Sequence, residues 1–373
     1  MLDSIKSNYV LKEIFTKCKE RVYLKLVLHN KRLQKRLNLS IIDALFSFNT
    51  MKIEIIPVSV ADDPFLVRFP FINIKDEDRA HYHIFFNDSK KPIKKDYFRK
   101  DDNVTKITVF IDKKIKTLKE LFKDCIYIKE VKVTGCRKYT IYNTSKMFYG
   151  CKSLVKVDIS KLQTQNVKNM GWMFYFCSSL KEVNLGNINT SNVTNMEYMF
   201  AWCEALKELN LSNFDTKNVI DMSSMFYHCE KLEYIDLSNF VTKNVQEMFK
   251  VFAECKSLKK VDISKFTTEN ALDMHSMFSG CVNLEFLNIT QFVFNLQENC
   301  DYMFDKDINL HLYTTSQFYD KIIKMNEFLD IIDDNITIID RIYDQMFTVT
   351  IEVFKYRKGR YTHHCRWQCG REP

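Results

Sequence analysis

Cys125, Cys151, Cys177, Cys203, Cys229, Cys255 and Cys281 follow one another at intervals of 26 residues without a slip. Asn166, Asn192, Asn218, Asn244 and Asn270 keep the same period. A unit this short cannot bury its own apolar face, so a strict period of this length requires copies of the unit to stack into a solenoid with a continuous core. Two successive units read NVTNMEYMFAWCEALKELNLSNFDTK (192–217) and NVIDMSSMFYHCEKLEYIDLSNFVTK (218–243). The register runs past the last cysteine of the series: Met303 and Phe304 lie 26 residues after Met277 and Phe278, with Asp307 in the cysteine slot. At the front, Phe122 and Cys125 mark a degenerate first unit. About eight repeats over residues 105–312 are expected.

Within a unit the apolar period changes once. Met196, Met199, Phe200, Cys203 and Leu206 fall at steps of three and four, which predicts one face of a helix. Leu206, Leu209 and Leu211 then give L-x-x-L-x-L, whose end alternates as in a short strand. Phe214 anchors the chain before Thr216-Lys217-Asn218, where Thr or Asn would cap the next helix. The predicted fold is therefore an α/β solenoid of turn-helix-strand units with a parallel sheet along one side.

These residues closely resemble the BspA-type leucine-rich repeat family, whose units carry N-V-x-x-M-x-x-M-F-x-x-C-x-x-L-x-x-L-x-L-S-x-F. The resemblance covers about half the chain. It implies protein binding and, for exported members, adhesion at a cell surface.

Helices packed about 8–10 Å apart would hold the cysteine row beyond the roughly 7 Å Cα limit of a disulfide. Buried free thiols acting as small apolar groups are the expectation, which fits a reducing compartment. The repeat methionines read as core filler. His363, His364, Cys365 and Cys369 in YTHHCRWQCG resemble half a zinc site without a second half nearby, and His81 and His83 would share one side of a strand. No metal and no cofactor is expected.

Seven glycines build neither G-x-G-x-x-G nor a phosphate loop, and H-E-x-x-H and G-x-S-x-G do not occur. The expected function is non-catalytic protein recognition. In each unit the strand residue at Asp158, Asn184, Asn210, Asp236, Asp262 and Asn288 is Asp or Asn, which suggests side chains bonding along the stack. A row of calcium ions is the sharper alternative. Two positions earlier stand Lys156, Glu182, Glu208, Tyr234, Lys260 and Phe286, an exposed row that varies on a constant framework and reads as the recognition surface.

The formal net charge of +8 is concentrated at one end. Residues 1–40 hold ten Lys or Arg against three acidic residues, a surplus of +7, so the remainder offers no basic face for nucleic acid. Residues 1–48 read as helices. NYVLKEIFTKCKERVYLKLVLHNKRLQKRLNL is similar to an F-box, which would dock on a ubiquitin-ligase adaptor and make the repeats a substrate receptor. A helical cap on the solenoid is the other reading. Residues 49–104 carry strand-like runs and read as a small α+β cap, and residues 313–373 as one helix followed by an irregular tail. With no 18-residue apolar run and no signal-peptide pattern, a cytoplasmic protein is expected, or a surface adhesin if the start is mis-assigned.

Overall fold

The M-x-x-M-F-x-x-C segments are not helices. Each contains two residues four apart in the left-handed region, Trp172 and Phe176 (φ 61° and 59°) in one unit, Tyr198 and Trp202 (50° and 62°) in the next. One such residue ends an α-helix, and two make each segment a run of tight turns. The computed structural model describes residues 50–59, 68–87, 91–112, 115–135, 140–292, 299–304, 310–314, 336–343, 349–357 and 360–369, and residues 7, 32 and 89 singly. Across these the chain winds into a β-solenoid of about six full turns with almost no helix. The α/β expectation is thereby corrected to β. The apolar spacing of three and four stands, because consecutive i→i+3 turns such as Cys177 N–H to Phe174 O (3.1 Å) bring the same side chains inward.

Every second peptide of this wall is bonded between rungs. The amides of Met170, Trp172, Phe174 and Phe176 donate to the carbonyls of Asn195, Glu197, Met199 and Ala201 at 2.8–3.0 Å. The carbonyls of Asn169, Gly171, Met173 and Tyr175 in turn accept from Thr144, Lys146, Phe148 and Gly150 of the rung before. Each of these peptides points its C=O toward the start of the solenoid and its N–H toward the end. Their dipoles add along the axis as they do in a helix.

The other wall is a stack of three-residue parallel strands. β6 (Ile128–Gly135), β7 (Lys156–Asp158) and β8 (Glu182–Asn184) pair in register, as do β9 (Tyr234–Asp236), β10 (Lys260–Asp262) and β11 (Phe286–Asn288). Between the two sets lies Glu208–Asn210, which makes no backbone hydrogen bond to either neighbour among the described residues, and the sheet divides there. Between the walls is one continuous core. Its spine is a file of phenylalanines, Phe122 through Phe304 at the repeat interval, with ring centroids 5.2–6.0 Å apart and planes within 3–11°.

The first rung is closed by the segment before it. β1 (Thr50–Pro57) pairs antiparallel with β6 on one side and with β5 (Ile107–Asp112) on the other; β3 (Tyr82–Phe86) pairs with β5, and β2 (Phe69–Pro70) with β4 (Tyr97–Phe98). The α+β cap is thus a β cap with two short 3-10 turns, and its last strand lies inside the stretch assigned to the repeats. Asn73 completes the closure: its amide donates to Leu121 O (2.7 Å) and its Nδ2 to Lys123 O (2.6 Å), two carbonyls that face away from the stack. At the other end β12 (His311–Thr314) and β13 (Ile336–Tyr343) continue the parallel stack, and β14 (Val349–Arg357) and β15 (Arg360–Cys369) extend it antiparallel. Strands therefore occupy Ile336–Tyr343, Val349–Arg357 and Arg360–Cys369, within the stretch where a helix and an irregular tail were expected. The helical or F-box-like reading of residues 1–48 falls outside the described residues.

Candidate functional site

Pairing in register places the predicted surface row in a line. Lys156 lies opposite Glu182, and Lys260 stands between Tyr234 and Phe286. Strands are spaced about 4.8 Å apart, so adjacent members of the row touch. Lys156 and Glu182 form an ion pair, and Phe286 packs on Tyr313 with centroids 5.0 Å apart. All six side chains are exposed, with Tyr234 at 49% and Phe286 at 37%, values high for large apolar groups. Glu208 sits in the divided rung. A groove of about 1020 Å3 opens across this break, lined by Lys156, Glu182, Glu208 and Tyr234 of the row.

The Asp/Asn positions do not form a ladder of bonds to one another along the stack, although Asp158 Oδ2 lies 3.6 Å from Lys132 Nζ of the rung before. The Oδ1 of Asp158, Asn210, Asp262 and Asn288 each accept from the amide and the hydroxyl two residues on, for example Ser212 N–H at 3.0 Å and Ser212 Oγ at 2.7 Å to Asn210. This is a local turn device that recurs along the solenoid, and it corrects the ladder reading. Hydrogen bonds from the Ser238 amide and then its hydroxyl hold the Asp236 carboxyl below the usual range.

Bonding along the stack is done by other residues. Asn192, Asn218, Asn244 and Asn270 donate Nδ2 to the carbonyls of Gln165, Ser191, Lys217 and Lys243 in the preceding rung at 2.7–2.8 Å; Asn166 holds the same slot one rung earlier. The cysteines at 151, 177, 203, 229, 255 and 281 donate Sγ–H to the phenylalanine carbonyl of the rung before at 2.9–3.3 Å. These six and Cys125 are buried and form no disulfide. The distance argument for free thiols does not hold, because rungs stack at strand spacing and not at helix spacing. Among the described residues no disulfide joins neighbouring rungs; each Sγ–H is instead directed at a carbonyl of the rung before. Burial pushes the thiols of Cys177, Cys203 and Cys255 far above their ordinary range.

Two features escaped the sequence reading. Buried Thr164, Thr190, Thr216 and Thr242 each bridge to the next rung, Oγ1 donating to a carbonyl and accepting from the amide of the same residue. Their period of 26 is visible in the sequence, where it predicts helix caps and not bridges between rungs. The second is a cluster of aromatic rings on the turn wall, in slots too variable along the chain to show as a column. His81 ends a 3-10 turn while His83 lies on β3, so they do not share a strand. His363, His364, Cys365 and Cys369 lie on β15. Among the described residues no three metal-ligating side chains converge, and no helix is long and apolar enough to cross a membrane.

No curated protein and no solved structure matches the chain. A family described as "Mycoplasma protein of unknown function, DUF285" matches residues 116–234 and 203–316, which together run from the first rung of the solenoid to its last. The two matches join into one stretch that covers more than half of the chain and coincides with the repeats, so the protein belongs to the DUF285 family.

Proposed function

We propose that the protein is a non-catalytic recognition module that binds a partner protein along the exposed strand face. The observation that carries this reading is the row Lys156, Glu182, Glu208, Tyr234, Lys260 and Phe286: one side chain per rung, in line and exposed, changing in charge and size while the residues beneath it stay fixed. Its half with Tyr234, Lys260 and Phe286 joins two aromatics to a cation, the composition of interface hot spots. The N-V-x-x-M-x-x-M-F-x-x-C spacing supports kinship with BspA-type repeats, whose members bind proteins. Buried free thiols support a reducing, cytoplasmic setting.

The test compares proteins that co-purify with the tagged chain and with its Tyr234→Ala/Lys260→Ala/Phe286→Ala variant. All three side chains are exposed, so the variant is expected to unfold like the wild type and to lose specific partners. Retention of every partner by a folded variant would count against the strand face. The F-box-like stretch supports a second reading, a ubiquitin-ligase substrate adaptor. Deleting residues 1–48 would then remove ligase subunits and leave other partners bound.

A further inference from the structure

Eight aromatic rings meet on the turn wall of four consecutive rungs. In one column Trp172 stacks on Tyr198, centroids 4.1 Å apart and planes 15° from parallel. In the next, Tyr149 stacks on Tyr175 at 4.9 Å. In the third, Phe176 meets Trp202 at 5.5 Å, and Trp202 stacks on His228 at 3.7 Å. Cross-contacts at 4.7 Å (Trp172–Tyr175) and 5.8 Å (Trp202–Tyr227) join the columns into one partly exposed face.

The fold does not require these rings. Each rung repeats the same backbone, so the other rungs show what the slots tolerate. The Trp172 slot holds Ser224, Lys250 and Ser276, and the Trp202 slot holds Gly150, Glu254 and Gly280. Trp172, Phe176, Tyr198, Trp202 and His228 are moreover in the left-handed conformation, which costs a side-chain-bearing residue about 1 kcal/mol and a glycine nothing. Rings at a strained slot, where glycine serves two other rungs, are kept for something other than folding.

Their arrangement says what they can bind. Rings stacked along the solenoid axis cover one another's faces and leave their rims outward. At the leading end the faces are already occupied: Lys123 Nζ lies 5.6 Å from the Tyr149 centroid, Lys146 Nζ 5.8 Å from Trp172 and Lys152 Nζ 5.0 Å from Phe176. A glycan stacks on open ring faces, and at the leading end these are already covered by the lysines. Aromatic rims are the positive part of the ring quadrupole, and here they carry tyrosine hydroxyls and indole N–H donors. None of the three ammonium groups has a carboxylate partner among the described residues. Donors, positive rims and unpaired cations together complement an acidic, acceptor-rich chain.

We infer that this aromatic face is a second docking surface, separate from the strand face, and that it takes an acidic segment of a partner protein. The probe is a poly(Glu,Tyr) copolymer added to the full chain, followed by the fluorescence of Trp172 and Trp202 and by a direct binding isotherm. Two variants test it: Trp172→Ser/Trp202→Gly, which uses residues other rungs hold in those slots, and Lys123→Gln/Lys146→Gln/Lys152→Gln, which changes charge alone. Each is expected to weaken binding by about tenfold or more. The lysine variant should also flatten its salt dependence, while Tyr234→Ala/Phe286→Ala leaves it unchanged. Absence of binding, equal binding by the lysine variant, or displacement of the copolymer by cellohexaose or chitohexaose would overturn the inference. Loss of binding only in the strand-face variant would overturn it too, and would favour the strand-face reading.

Discussion

At the scale of single residues, the threonines that hold the rungs together sit where no water can replace them. Thr216 is fully buried; its Oγ1 donates to Val241 O (3.0 Å) and accepts from Val241 N–H (2.8 Å). Thr216→Val keeps the shape and strands both backbone groups, which should cost about 2–4 kcal/mol. Urea unfolding should show a lower midpoint at unchanged slope, and a loss below about 0.5 kcal/mol would refute the bridge. Glu247 presents the opposite case. Burial, and then Asp221 and Asp273 on the adjoining rungs, raise its pKa, with His275 opposing. The folded state thus binds this proton more tightly than the unfolded chain. The stability it contributes is full below the ordinary glutamate pKa and is lost as pH rises through the raised one. Glu247→Gln should therefore raise the Tm at pH near 7 and lose that advantage at pH near 4. Equal melting of the two proteins at neutral pH would exclude the effect. The cysteine and asparagine columns were legible because spacing alone reveals an invariant slot. The aromatic face was not, since its slots hold Trp, Tyr, Lys, Ser or Gly from rung to rung and only the fold gathers the rings.

At the scale of elements, the repeat strands were legible, those from Ile336 on were not, and the helices were a misreading with a physical origin. Steps of three and four report that a turn recurs every three to four residues, and a helix is only one way to achieve this. Chains of i→i+3 turns interrupted by left-handed residues give the same apolar face, yet they direct alternate amides to the next rung. The sequence signal for that difference is faint, because only Gly150 and Gly280 mark the left-handed slot with glycine while Asp, Phe, Trp, His and Glu fill it elsewhere. Substitution separates the two structures. Lys250, at φ 54°, occupies a slot where glycine would cost about 1 kcal/mol in a helix and is neutral or stabilising in a left-handed turn. Lys250→Gly is therefore expected to leave the unfolding midpoint unchanged or raised. Gly280→Ala should do the reverse: φ is +77°, and a Cβ there would lie 2.9 Å from the backbone N and Cα of Glu254. A loss of about 1–3 kcal/mol is expected for it.

At the scale of the whole molecule, the aligned peptides of the turn wall make the two ends of the solenoid unlike. Carbonyls gather at the start and amides at the end, and the stack stops only where something other than another rung receives them. At the start that function falls to Asn73, whose backbone and side chain supply donors to Leu121 O and Lys123 O, while β1 covers the free edge of β6. Repeat arrays unfold from rungs that lack a neighbour, since each rung is held mainly by the interface on either side. Asn73→Ala removes one donor and leaves the β1–β6 pairing in place, so the protein should still fold. Its first rung should open more often. Native-state hydrogen exchange reads this rung by rung: the amides of Glu120, Phe122 and Asp124, which bond to Ser145, Met147 and Tyr149, should lose protection about tenfold. Those of Met222, Ser224 and Phe226, four rungs further on, should not change. Uniform loss along the stack would mean that the cap stabilises the array as one cooperative block. Unchanged protection at the first rung would mean that β1 and the residue-73 backbone amide suffice to close the solenoid, and that Lys123 O, without the Asn73 side chain, is met by water.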